Sequence, residues 1–446
     1  LKKSILAVAI AGALLAHTSI QAVEQMPPAV IPAPVAPAAR VKSSFIETVA
    51  AAGKEISAAV GAQTDTVKRL EIFSKLEFSP ALRPKLKEVF GNEHIFAMQR
   101  TAGPKGQAVY VAKLAPHTYL DENAVAFSWA EFNARTVVNK AGTTMDTIAT
   151  WPSLSILGTS ASGTLEKMSM DFKQSRVKDG LWYGNGVIKV GSVVVRGTTP
   201  DSSDFKETFR LEDMSAAFGI ALHGKKADLN YGFSIKSILF SGAPIEHANI
   251  GLRVVNMPAQ ALAEADRELK KVQGSGLPED AQTELMLRTM KAFGKNMVTS
   301  GASLVIDDIS ASYRGNTASI KGRIDFDKVV DADFSSPMAF AKKIIARLDV
   351  RLPVAMVNDV ARLMGAKQVD ASAPNAAEQI ETAGKNIAAV VIGKLVNEGF
   401  AVMDKGELRS AIEIRQGKLT FNGKAVPLPG VPDGDLIKAF DATKKK

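Results

Sequence analysis

Through much of the middle of this chain apolar residues fall two apart, the spacing that places every second side chain of a β-strand on one face. The alternation is plain in Ala108 to Leu114 and Ala124 to Phe132. It is most regular in an eight-residue pattern that occurs three times: LEKMSMDF (Leu165 to Phe172), LEDMSAAF (Leu211 to Phe218) and IDDISASY (Ile306 to Tyr313). Each copy reads apolar, acidic, charged, apolar, Ser, two variable positions, aromatic. The first two start 46 residues apart and the third 95 after the second. Repetition on that scale argues for an array of similar units instead of one catalytic centre.

Within a copy, the leading Leu165, Leu211 or Ile306 stands three residues before the next apolar position, out of phase with the strand. A bulge or bend at the charged pair would return both to one side. The turns KQSRVKDG, HGKK and RGNT follow, then the strands Leu181 to Arg196, Ala227 to Phe240 and Ala318 to Phe326. Each unit is predicted to be an antiparallel hairpin. The pattern then places Met168, Met170, Phe172, Met214, Phe218, Ile309 and Tyr313 on one apolar face, and these are the candidates for contact with an apolar ligand.

Helical spacing interrupts the β pattern in three places. Phe45, Val49, Ala52, Ile56, Ala59, Val67 and Leu70 keep a near seven-residue spacing broken at Gln63, which predicts an amphipathic helix or two short ones. From Pro258, the stripe Leu262, Ala265, Leu269 and Val272 predicts a helix that Gly274 and Gly276 end. Pro278, Glu279 and Asp280 start another, with Leu285, Met286, Met290, Phe293 and Met297 on its apolar side. A further helical insertion spans about 336–401, with LDVRLP as a strand inside it. The end returns to β, where Asn422-Gly423 between alternating segments signals a tight hairpin. The fold class expected is α+β: an extended, curved antiparallel sheet of repeated hairpins, helical insertions packed on one face, and an N-terminal helical segment.

Lys2 and Lys3 precede the apolar run Ile5 to Leu15, and His-Thr-Ser-Ile-Gln leads to the small residue Ala22, with Ile20 where a small residue is preferred. That is the shape of a secretory signal peptide cleaved after Ala22, and uncleaved it would serve as a membrane anchor. Residues 23–42 follow as a Pro/Ala-rich tether, 43–92 as the helical segment, 93–257 as a β-rich lobe, 258–430 as sheet with helical insertions and a terminal meander, and 431–446 as a basic tail. The expected address is the periplasm of a Gram-negative bacterium. The 446 residues include no cysteine, so an exported chain of this length must rest on its core. The formal charge of +9 comes from scattered basic residues, with Lys444 to Lys446 the only run, which fits solubility and a weak attraction to anionic headgroups. Nucleic acid is not an expected partner, because export removes it and no aromatic-basic stripe is present.

No catalytic constellation emerges. His94, His117, His223 and His247 lack metal-ligand spacing. Ser160 and Ser162 in GTSASG do not form a nucleophile elbow, and GNGVIKVG lacks the Lys of a phosphate-binding loop. Asp325, Asp327, Asp331 and Asp333 are the densest acidic cluster. Asp325 and Asp327 are the candidates there for a calcium ion, although the spacing matches no EF-hand and strand-edge alternation accounts for the pair. No cofactor is expected.

The segment LEDMSAAFGIALHGKKADLNYGFSIKSILFSGAPIEHANIGLRV, together with ARLDVRLPVAMVNDVARLMG and IEIRQGKLTFNGKAVPL, resembles the YdgA-like family of Gram-negative envelope proteins. The resemblance covers about 160–430 and rests on the order of strands, helices and the final hairpin. It implies export, with the bulk of the chain on the periplasmic side of the inner membrane, and no agreed activity or catalytic residues. The start departs from the family, whose members have a longer uncleaved anchor leading directly into β structure. The expected function is non-enzymatic binding of a lipid or lipoprotein in a groove between sheet and helices. The alternative is a scaffold that self-associates through residues 43–73 or docks a partner.

Overall fold

The computed structural model describes residues 42–426, except 62, 64, 177–180, 200, 201, 241, 242, 274, 276 and 371. The signal segment, nearly all of the tether and the basic tail lie outside the described residues. The chain divides into two compact units: residues 1–171, 191–209 and 270–282, and residues 172–190, 210–269 and 283–446. Among the described residues, eighteen strands form a large antiparallel sheet, and β7 (Ala161–Arg176), β8 (Trp182–Thr199) and β9 (Ser202–His223) each contribute to both units.

Unit 1 begins with α1 (Phe45–Val60), α2 (Thr66–Ser74) and α3 (Arg83–Phe90). Ser44 caps α1 and Asp65 caps α2 by accepting from free backbone N–H groups, and the chain breaks between them near Gln63, where the spacing predicts it. The strands β1 (Ala97–Ala102), β2 (Ala108–Leu114), β5 (Phe132–Val138) and β6 (Thr144–Leu157) pair in that order, and β4 (Ala126–Trp129) joins β3 (His117–Leu120) to β6. Phe45 on α1 stacks on Phe127 at 3.9 Å between ring centres, and Phe90 and Trp129 close around them. All four rings are buried. The apolar stripe of α1 is therefore occupied by its own unit.

Unit 2 is built around β10 (Lys226–Phe240), β11 (Ala243–Pro258), β12 (Ser303–Tyr313), β13 (Asn316–Phe326), β14 (Ile344–Pro353), β16 (Glu407–Arg415), β17 (Lys418–Phe421) and β18 (Lys424–Val426), which pair antiparallel in that sequence. The three-residue β15 (Val402–Asp404) also lies on β16. The three repeats supply β7, β9 and β12, and each returns through a hairpin to β8, β10 and β13.

The bulge expected at the charged pair is present. Register shifts between Ile306 and Ile309 against both neighbouring strands. In the other two copies the second residue of the pair takes a left-handed conformation, Lys167 at φ 55° and Asp213 at φ 47°. The carboxylates hold these bulges on the polar side. Glu166 accepts from Ser192, Glu212 from Ser237, and Asp307 takes both N–H groups of Arg253 at 2.7 Å. The recurring acidic position is thus structural.

Two helical hairpins leave unit 2 from opposite ends of its strands. α4 (Ala259–Gln273) follows β11, and α5 (Glu279–Thr299) leads into β12 at the same end. α6 (Pro337–Ala341) precedes β14. α7 (Val354–Ala366) follows β14, and α8 (Ala376–Asn397) returns to β15 and β16 at the other end. Gly365 and Gly384 let α7 and α8 meet closely: a Cβ on Gly384 would lie 2.8 Å from the Arg362 Cα.

Candidate functional site

Directly paired residues of an antiparallel sheet point to the same side. The register therefore defines an apolar row across unit 2: Tyr231, Leu252, Ile306, Gly322, Leu348, Ile412 and Phe421. Phe218 on β9 extends it, with its ring 5.4 Å from that of Tyr231. At the usual strand spacing the row is about 33 Å long. Neighbouring rows are similar in kind: Leu229, Val254, Leu304 and Ile324 on one side, Phe233, Ile250, Ile309 and Ile320 on the other. No ionisable carboxylate, amine or guanidinium stands in these rows.

Two glycines let large side chains lie flat on this face. A Cβ on Gly322 would sit 2.7 Å from Leu348 Cδ2 and 2.2 Å from the Arg347 carbonyl oxygen. A Cβ on Gly186 would sit 2.1 Å from the Phe172 ring. The Asn185 side chain approaches Gly219 on the opposite, polar side, which puts Gly186, Phe172 and Phe218 together on the apolar one.

Coverage of the row is partial. At one end of the strands, Ala227, Met257, Ala259 and Ala302 are buried, with Leu262, Phe293 and Met297 of the α4–α5 hairpin packed against them. Phe326, Phe340 and Phe334 continue this closed end, with the Lys295 ammonium over the Phe334 ring. At the other end α7 lies against β13 and β14, and Arg314 of the β12–β13 turn pairs with Asp359 of α7 at 2.9 Å. The segment leaving α8 lies on the apolar side, where Phe400 meets Phe421 edge-on at 5.0 Å and its carbonyl accepts from Ser410. Between the two hairpins every member of the Phe218-to-Phe421 row is half-buried. The result is an apolar floor with a helical hairpin at either end.

The seven sequence-derived candidates fall in both units. Met168 and Met170 belong to unit 1, where Met170 is fully buried and Met168 half-buried. Phe172, Met214, Phe218, Ile309 and Tyr313 belong to unit 2, all half-buried. Alternation and pairing put these five on the apolar side. The sequence reading missed Tyr231, Leu252, Leu348 and Ile412, although NIGLRVV and LDVRL carry the same period-two signal.

Asp325 is occupied. Both its oxygens accept from Arg323 at 2.8 Å, and Ser303 donates to it as well. The guanidinium bonds hold its carboxyl below the ordinary carboxylate range, against the opposing effect of burial. Asp307 is held low in the same way by Arg253. Asp327 is exposed, and among the described residues no cluster of three His, Asp or Glu side chains has a metal-holding arrangement.

A family model described as "Bacterial protein of unknown function (DUF945)" matches residues 72–429, and the chain belongs to that family. Neither a curated protein nor a solved structure matches it. Among the described residues no helix is long and apolar enough to cross a membrane.

Proposed function

We propose that the protein is a non-enzymatic, exported envelope protein of the YdgA-like type that binds an apolar ligand, a lipid or a lipoprotein acyl chain, along the floor of unit 2. The observation that carries this reading is the uninterrupted row from Phe218 to Phe421, half-exposed throughout and flanked by helical hairpins. A fully committed core buries such residues, and a solvated sheet face carries polar residues in their place. A face that does neither suits a guest whose own apolar surface completes the burial. A row of about 33 Å exceeds the length of one extended acyl chain, which fits lipid-sized guests.

The test is native mass spectrometry of the full chain, followed by titration with a fluorescent fatty acid. Co-purifying lipid, or saturable uptake that Leu252→Glu abolishes while the fold survives by circular dichroism, is the expected result. A clean unliganded mass with no uptake of fatty acid or phospholipid would sink the reading.

A further inference from the structure

The polar side of the same strands carries a second pattern. The register sets like charges directly opposite one another three times: Arg323 against Arg347, Arg351 against Arg409, and Arg415 against Lys418. Alternation along β14 and β16 puts all six on one side, over an area of about 20 by 14 Å. Directly opposed like charges disfavour a sheet, so each pair calls for counter-charge. The supply is uneven. Arg323 has Asp325, and Arg409 has Asp404 at 2.7 Å and Glu407 at 2.9 Å. Arg347 reaches Asp349 and Glu413 only at 3.9 and 4.0 Å and is 68% exposed. Arg351, Arg415 and Lys418 are exposed and form no ion pair among the described residues.

We infer that this polar face of β13–β17 is a docking surface for an anionic phospholipid bilayer. Three features select that occupant. The three cations left without an ion pair, Arg351, Arg415 and Lys418, are spread over a plane instead of converging on a point, as a planar array of headgroups requires. Among the described residues no helix covers these side chains, which are solvent-exposed except for the half-buried Arg409. The residue type also fits phosphate. The chain has 18 arginines among its 55 basic residues, yet five of these six cations are arginine. Guanidinium forks bond phosphate oxygens in pairs, which an ammonium cannot do. The surface lies on the opposite side of the strands from the apolar floor, so the inference stands whether or not that floor holds lipid.

The experiment is flotation of the full chain with vesicles of phosphatidylcholine alone, and of phosphatidylcholine containing about one-third phosphatidylglycerol, at low and physiological salt. Attachment to the anionic vesicles only, weakened by salt, is expected. The triple variant R351Q/R415Q/K418Q should partition on the order of a hundredfold more weakly, since each surface cation contributes about fivefold. Its thermal melt should equal or exceed that of the wild type, because two like-charge oppositions are relieved. Leu252→Glu, which lies on the other face, should keep its attachment. Equal binding to neutral vesicles, or undiminished binding by the triple variant, overturns the inference. So does retention on polyglutamate without vesicle attachment, which would point to an acidic protein, or full competition by millimolar inorganic phosphate, which would point to a small-anion site.

Discussion

The ring cluster of unit 1 and the apolar floor of unit 2 are made of similar residues and end in opposite states. Phe45, Phe90, Phe127 and Trp129 each retain less than a tenth of their exposure, because α1 and α3 deliver rings into the space above β4. Phe218, Tyr231, Leu252 and Leu348 stay half-open, because the helices of unit 2 attach at the strand ends and leave the middle. Apolar content alone does not decide burial. The place where the chain leaves the sheet decides it. A helix that enters beside the middle of a strand covers it, whereas a hairpin that departs from and returns to one end covers that end.

Truncation should separate the two regions most strongly. Phe45→Ala removes a buried, stacked ring and is expected to cost about 3–5 kcal/mol of stability. Leu252→Ala, in the middle of the floor, is expected to cost about 1 kcal/mol, because part of its surface already meets water. Urea unfolding followed by circular dichroism measures both. Equal losses would mean that the floor is a core and not a binding surface.

Glycine substitution probes how tightly the floor is laid. Gly322→Ala puts a Cβ 2.2 Å from the Arg347 carbonyl oxygen and 2.7 Å from Leu348, so the strands must part or Leu348 must leave its place. A loss of about 2–3 kcal/mol is expected. Gly294 on α5 has nothing within 4 Å of an added Cβ, and Gly294→Ala should be neutral or stabilising by up to about 1 kcal/mol. Comparable effects at both positions would contradict the close packing of Leu348 over β13.

Much of this arrangement is legible in the sequence, and the illegible part has one cause. The three bulges follow from Leu165, Leu211 and Ile306 standing out of phase with their strands, since only an inserted residue restores the side. Phe172 and Phe218 follow from period two. Tyr231 and Leu348 carry the same signal, but their membership of one row depends on register between strands distant in sequence. The same holds for Arg323 facing Arg347 across β13 and β14. Burial was illegible for a further reason. Met168 and Met170 stand two apart on the same strand face, yet Met170 is closed off and Met168 half-open, and only the placement of neighbouring elements distinguishes them.

Titration should resolve the two units at opposite ends of the pH scale. In unit 1, burial, reinforced by the charges of Glu88, Asp121 and Glu122, pushes the Tyr119 phenol up to about 12 from 10.0. Its hydroxyl donates to the Ser43 carbonyl. A raised folded value means that this stabilisation is complete below the ordinary phenol pKa and is lost as pH rises through about 12. The loss should be about 2 kcal/mol, and Tyr119→Phe should remove it. In unit 2, Asp307 and Asp325 are held below their ordinary 3.8 by bonds from Arg253 and Arg323. A lowered folded value means that stabilisation is complete above the ordinary carboxylate pKa and fades as pH falls through the depressed one. These pairs are partly solvated, so each contributes below about 1 kcal/mol. Arg253→Gln should flatten the acid limb of the stability profile and leave the alkaline limb unchanged. An acid limb as steep in Arg253→Gln as in the wild type would show that the bulge carboxylate of the third repeat draws no stability from its guanidinium.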